Sequence, residues 1–201
     1  MSDPAGGLWP LPFSPLAEML AYWLAKRGAR RCPDKADIDP VDIGPLLPDI
    51  MLIDAAPEGG PFRYRLVGTR ATQMIGREIR GLTQAEAHGN PSDPDLRREI
   101  ARVEREYAWL ARELHGGFRL TRMAVPDRAH IRLARLTLPL SVQDGVARHL
   151  IVVMIETDAP VASDGAAFGI DLARLQPIAL PDDVAMPSAR DFVWPLMPAA
   201  R

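Results

Sequence analysis

The chain has 201 residues, of which 47% are hydrophobic, and this length and composition predict one domain with a single core. Its formal net charge of −2 gives no basic surface field, so binding to nucleic acid is not expected. The start of the chain lacks the features of a secretory signal, and the longest apolar run, residues 150–155, is far shorter than the ~20 residues that span a bilayer. We therefore expect a cytoplasmic protein without membrane insertion.

The first predicted element is an amphipathic helix that begins at Ser14 and ends near Gly28. Its apolar side chains recur every three or four residues and share one face; they are Leu16, Met19, Leu20 and Trp23. A short helix interrupted by prolines follows. We assign residues 1–13 to an N-terminal tail and residues 14–48 to a helical cap.

Residues 49–156 are predicted to form the core, which begins with two strands. The first covers 49–55, and alternation of apolar and charged residues predicts the second at 62–67. A Gly-Thr pair then begins a short helix that runs towards Ile75. After an irregular segment, one apolar stripe predicts a long amphipathic helix over 95–114.

Three further strands are predicted at 118–125, 131–140 and 147–156. The last two are joined by a turn that contains Gly145, which accepts a positive φ and so favours a hairpin. Because residues 150–155 are apolar without interruption, the last strand is expected to be buried on both faces. The first helix is the obvious cover for the outer face, supplied by the same chain or by a second copy.

The order of these segments, together with the sequences PFRYRLVGTRATQMIGREIRG, LLPDIMLID and PLSVQDG, resembles the PAS domain family. The resemblance is in particular to bacterial single-domain PAS proteins that carry a W…RG…P…DIDP segment ahead of the sensor core. The resemblance extends over 23–156. It implies an α+β fold with a five-stranded antiparallel sheet, helices on one face, and the N-terminal amphipathic helix on the other.

The resemblance also implies a non-enzymatic sensory or scaffold module in bacterial signalling. The sequence shows no kinase, cyclase or DNA-binding segment. We therefore expect this module to act through protein–protein contacts with a separate signalling protein, such as a histidine kinase.

A sheet with helices on one side encloses a space that either holds a small apolar ligand or is filled by packed side chains. The apolar residues expected to face it are Met74, Ile75, Tyr107, Leu110, Met123 and Leu133. Arginines recur between 119 and 135 on the neighbouring strands. They line either a solvated or dimer-facing surface, or direct one guanidinium at an anionic effector.

The apolar stripe of the first helix is wide enough to leave surface exposed after it covers the sheet. A symmetric homodimer would bury that surface through one self-complementary patch. The predicted interface residues are Leu16, Met19, Leu20 and Trp23.

The sequence points to no metal site and names no cofactor. Cys32 is the only cysteine, and the four histidines show no paired spacing, so neither a zinc cluster nor haem is favoured. Common catalytic motifs are also missing. The alternative interpretation is a small cone-shaped enzyme of the ketosteroid-isomerase type, for which Asp127 and His130 are the nearby acid–base candidates.

Residues 157–201 are interpreted as a Pro/Ala-rich C-terminal tail with a short helical piece near 171–175. Its end, DFVWPLMP, contains aromatic residues that are costly to leave in water. This segment therefore docks either on its own domain or on a partner.

Overall fold

A twisted antiparallel sheet forms the middle layer of the molecule, with helices on both faces. The computed structural model describes residues 11, 13–55, 60–123, 128–159, 166–182 and 184. In chain order the strands are β1 (Ile50–Asp54), β2 (Arg63–Val67), β3 (Gly116–Arg122), β4 (Arg132–Gln143), β5 (Val146–Glu156), β6 (Ala166–Asp171) and β7 (Gln176–Ile178). The helices are α1 (Ser14–Arg27), α2 (Thr69–Ile75), α3 (Gln84–Ala87) and α4 (Pro94–Glu113), with two 3-10 helices at Lys35–Asp37 and Gly44–Asp49.

The sheet has seven strands in the order β2-β1-β5-β4-β3-β6-β7, whereas the sequence predicted five. The predicted α+β class and the antiparallel sheet are confirmed at this level. The two additional strands lie in the segment that the sequence analysis assigned to a tail. Residues 172–175 form a turn between β6 and β7 rather than the predicted short helix. β6 pairs with the outer edge of β3, where free backbone groups accept a further strand.

The long central strands follow the sequence pattern closely. Asp144 and Gly145 form the two-residue turn between β4 and β5, both with positive φ, as a tight hairpin requires. Along β5, Leu150, Val152 and Met154 face one core cluster and the alternate residues face the other. Burial of this strand on both faces is therefore confirmed.

Helix α1 covers one face of the sheet within the same chain. The predicted stripe of Leu16, Met19, Leu20 and Trp23 is fully or almost fully buried against β3, β4 and β5. The indole Nε1 of Trp23 donates a hydrogen bond to the carbonyl of Pro139 at 2.8 Å. While α1 is docked, these four side chains have no surface left for a second copy, because the sheet of their own chain already covers them.

Helices α2, α3 and α4 pack on the opposite face. The inward side of α4 contributes Val103, Tyr107 and Ala111 to the core cluster there. Leu114 ends α4 in the left-handed conformation, with φ at 58°, and the chain then enters β3. No helix in the described part of the chain is both long and apolar enough to cross a membrane.

Candidate ligand-binding site

A cavity of about 100 Å³ lies between the inner face of the sheet and helices α3 and α4. Its apolar wall comes from the sheet, from the segment after α2 and from α4. The residues that line it are Met51, Tyr64, Ile75, Ile79, Gln84, Ala87, His88, Glu99, Ile100, Val103, Tyr107, Arg119, Thr121, Arg122, Met123, Leu133, Arg135 and Met154. An apolar cavity of about 150 Å³ is large enough to bind benzene, so this space suits only a very small molecule.

Four of the six residues expected to face this space line it, namely Ile75, Tyr107, Met123 and Leu133. Met74 instead borders a separate surface groove beside Arg70, because the adjacent position on a helix is turned by about 100°. Leu110 is fully buried against the backbone of β3. A Cβ added at Gly117 would lie 2.7 Å from the Cδ1 atom of Leu110. The Leu110 side chain therefore packs against β3 and does not line the cavity.

A buried ion cluster forms the polar wall of the cavity. Arg119 and Arg135 are direct cross-strand neighbours on the inner face of the sheet, an arrangement of like charges that is unfavourable without a counterion. Glu106 of α4 supplies that counterion. One of its carboxylate oxygens accepts a hydrogen bond from Arg119, and the other accepts one from Arg135 at 2.9 Å. Arg119 and Glu106 are each only 1% exposed.

A second carboxylate extends this cluster towards solvent. Glu99 accepts hydrogen bonds from Arg119 at 3.0 Å and from Arg102 at 2.7 Å, and its side chain is 26% exposed. Arg135 also lies over the ring of Tyr107, with its guanidinium carbon 5.2 Å from the ring centroid. The cluster therefore joins α4 to β3 and β4 through charged hydrogen bonds.

The protonation of this cluster is fixed by its own contacts. Burial alone would raise the pKa of Glu106, but Arg119 and Arg135 outweigh it and hold that pKa below the ordinary range. Burial raises the pKa of Tyr107, and burial together with the neighbouring Tyr107 raises that of Tyr64. Near neutral pH the wall thus contains an ionised carboxylate and neutral phenols.

Two polar groups from α3 close another side of the cavity. The hydroxyl of Tyr64 donates to the side-chain oxygen of Gln84. The Nδ1 atom of His88 contacts the carbonyl of Gln84 at 2.9 Å, which anchors the imidazole at the cavity wall. Phe62 packs edge-on against Tyr107 and supports that ring from outside.

Neither Glu106 nor a buried ion pair was expected from the sequence. Glu106 lies three residues after Val103 and four before Leu110, so it is on the apolar face of α4 and not on the polar face. Arg119 alternates with Phe118 and Leu120, which face α1, so the strand period turns its side chain towards α4. The available signal was a charged residue on the buried side of each element. These two residues, Glu106 and Arg119, pair with each other in the structure.

The other chemically notable residues lie elsewhere. His130 is exposed, and its proposed catalytic neighbour Asp127 falls outside the described residues. His149 contacts Asp54 at 2.8 Å on a surface depression, and burial lowers its pKa despite that carboxylate. Burial raises the pKa of Cys32 to about 11, which keeps it an unreactive thiol. Within the described residues, no group of three histidine, cysteine, aspartate or glutamate side chains could hold a metal ion.

Comparison with known families agrees with this geometry. A family model described as PAS domain matches residues 12–155, which includes α1 and strands β1 to β5 up to the penultimate residue of β5. Neither curated proteins nor solved structures gave a significant match. Strands β6 and β7 lie outside the matched region. Because the match covers well over half of the sequence, the chain belongs to the PAS domain family, whose members are generally non-enzymatic sensory and signalling modules.

Proposed function

We propose that this protein is a non-enzymatic sensory or scaffold module of bacterial signalling that acts in the cytoplasm. In this proposal a small molecule enters the cavity between the sheet and α4. The output is a change in protein–protein contact with a separate signalling protein, such as a histidine kinase.

The main support for this proposal is that the cavity lies directly beside the buried ion cluster. Arg119 and Arg135 line the cavity and join the sheet to α4 through Glu106, and Glu99 of α4 lines the cavity and pairs with Arg119. A ligand that contacts these side chains changes the bonds that hold α4 in place. Occupancy of the cavity can therefore alter the outer surface of α4, which is where a partner would detect it.

The state of Glu106 supports a module without catalytic chemistry. A general base needs a free carboxylate oxygen and a pKa close to the working pH. Both oxygens of Glu106 are held by guanidiniums, and its pKa is lowered rather than raised. Buried acidity of the ketosteroid-isomerase type depends on the opposite shift. The buried carboxylate at this cavity therefore favours sensing over proton transfer.

Autophosphorylation of purified histidine kinases from the source organism tests the proposal. The full chain should change the rate for at least one kinase. Val103→Phe, which places a large ring in the cavity, should alter that response. Val41→Phe makes the same substitution at an exposed position outside α4 and outside the cavity lining, and is the matched control. If no kinase responds, or if both variants behave alike, the proposed link between cavity and partner fails.

We further propose that the protein is a homodimer. The apolar stripe of α1 is buried within the chain, so the contact must use another surface. Light scattering over a wide concentration range tests this. A particle of one chain's mass, 22.1 kDa, at every concentration would contradict it.

A further inference from the structure

We propose that the cavity binds a small organic monocarboxylate, with its carboxylate beside Arg119 and Arg135 and its hydrocarbon part among the apolar side chains. This inference rests on the proposed function, because it names the class of ligand for the same cavity. It follows from the charge of the wall, from unpartnered buried donors, and from the size and polarity of the remaining lining.

The charge of the wall favours an anion. Three of the residues that line the cavity are arginines, Arg119, Arg122 and Arg135, against a single lining carboxylate, Glu99. Arg122 is exposed, so the buried charges of the wall are the guanidiniums of Arg119 and Arg135 and the carboxylate of Glu106. Glu99 is also shared with Arg102 outside the cavity, so it neutralises the wall only in part. A buried excess of positive charge is costly unless another anion compensates it.

Hydrogen-bond donors in the same wall lack acceptors. The Nε atoms of both Arg119 and Arg135 are buried, and neither has a hydrogen-bond partner among the described residues. Each guanidinium donates from one outer nitrogen to Glu106; the other outer nitrogen of Arg119 donates to Glu99, and that of Arg135 donates to the Tyr107 hydroxyl. Arginine recognises carboxylates through planar sets of such donors. A ligand carboxylate at this wall would supply the missing acceptor and the missing negative charge together.

The rest of the lining limits the ligand to one charge and a short hydrocarbon part. Met51, Ile100, Val103, Leu133 and Met154 form an apolar surface for the hydrocarbon part, and the Tyr64 hydroxyl is already bonded to the Gln84 side chain, so neither side is built for a second carboxylate or a phosphate. The volume of about 100 Å³ is smaller than the cavity of about 150 Å³ that binds benzene, so it restricts the molecule to a few carbon atoms. Acetate and butyrate lie within this limit, and benzoate, which is larger than benzene, lies beyond it and serves as the size control.

A substitution at Glu99 can change the charge of the cavity wall without changing its shape. Glu99 lies at the partly exposed end of the cluster, so Glu99→Gln keeps the side-chain size and the fold while it removes a competing carboxylate. We expect this variant to bind carboxylate probes about tenfold more tightly, the scale of one charge at several ångströms in a partly buried site. Glu113→Gln makes the same charge change on an exposed part of α4, beside Arg112 and away from the cavity lining, and should leave binding unchanged.

The experiment is calorimetric titration of the full chain with the three carboxylates and with acetamide, butyramide and benzamide, their neutral counterparts of the same shape. Acetate or butyrate should bind at one site, about tenfold or more tightly than its amide, and Glu99→Gln should strengthen only the carboxylate. Equal binding of acid and amide would overturn the carboxylate class but leave a cavity ligand in place. If none of the six binds, both this inference and the small-ligand part of the proposed function fail. Weaker carboxylate binding by Glu99→Gln would also overturn the inference, because Glu99 would then help to hold the ligand.

Discussion

Replacing Trp23 by alanine tests whether α1 is an integral layer of the domain. The side chain of Trp23 is 0% exposed, its Nε1 donates to the Pro139 carbonyl at 2.8 Å, and the guanidinium of Arg27 lies 5.6 Å from its ring. Removing a fully buried tryptophan costs about 3–5 kcal/mol through lost apolar contact and the cavity left behind. For a domain of this size each kcal/mol lowers the melting temperature by roughly 2–4 °C, so we expect a fall of roughly 6–20 °C.

Trp23→Phe is the graded control for this experiment. The phenyl ring retains much of the apolar contact but leaves the Pro139 carbonyl without its donor, which costs about 1–3 kcal/mol. Urea unfolding followed by circular dichroism measures both variants against the wild type. The order of stability should be wild type, then Trp23→Phe, then Trp23→Ala. An unchanged midpoint in Trp23→Ala would refute the reasoning, because α1 would then be undocked in solution.

Two further predictions concern the ion cluster and the added strands. Because the pKa of Glu106 is lower in the folded protein, its stabilising effect is complete above about pH 4.3, the ordinary glutamate value, and is lost as pH falls towards the folded value. Glu106→Gln should lower the free energy of unfolding at pH 7 by about 3–5 kcal/mol and should flatten this acid-dependent loss of stability. Urea unfolding from pH 7 to 3 measures both effects. An unaltered pH profile would contradict the role of Glu106 as the buried counterion. At Gly169 an added Cβ would lie 2.8 Å from the Trp109 ring, so Gly169→Ala should lower the free energy of unfolding by about 1–3 kcal/mol and speed hydrogen exchange in β6. Gly44→Ala is the control, because an added Cβ there has nothing within 4 Å, and it should not speed that exchange. Equal exchange in the two variants would count against docking of β6.

The parts of the fold with long, regular patterns could be predicted from sequence. Helices α1 and α4 and the β4–β5 hairpin each carry many turns or alternations of apolar residues, so chance patterns do not compete with them. The short β6 and β7 were missed for the opposite reason. Both strands are short and give little alternation. β6 is stabilised by pairing with the β3 edge and by Trp109, and β7 by pairing with β6, contacts that no local pattern reveals.

The candidate site was predictable only in part, because the set of residues that line a cavity depends on small differences in side-chain direction. The sequence pattern predicted that Ile75 and Met123 line the cavity. It could not show that Ile75 lines it and Met74 does not, because the two are adjacent on one helical turn. The ion cluster needed long-range information, since Glu106 and Arg135 lie 29 residues apart and meet only when α4 packs on the sheet. Whether these residues bind a ligand stays a prediction.

Methionine-methyl NMR of the full chain under xenon pressure tests most directly whether the cavity admits a small molecule. Met51, Met123 and Met154 line the cavity, whereas Met19 is buried on the other face of the sheet and serves as an internal control. Xenon enters internal apolar space and shifts the signals of methyl groups that it contacts. We expect concentration-dependent shifts at the three cavity methionines and none at Met19. Unchanged signals from all three would contradict the account, because the space that it assigns to a ligand would be closed to one.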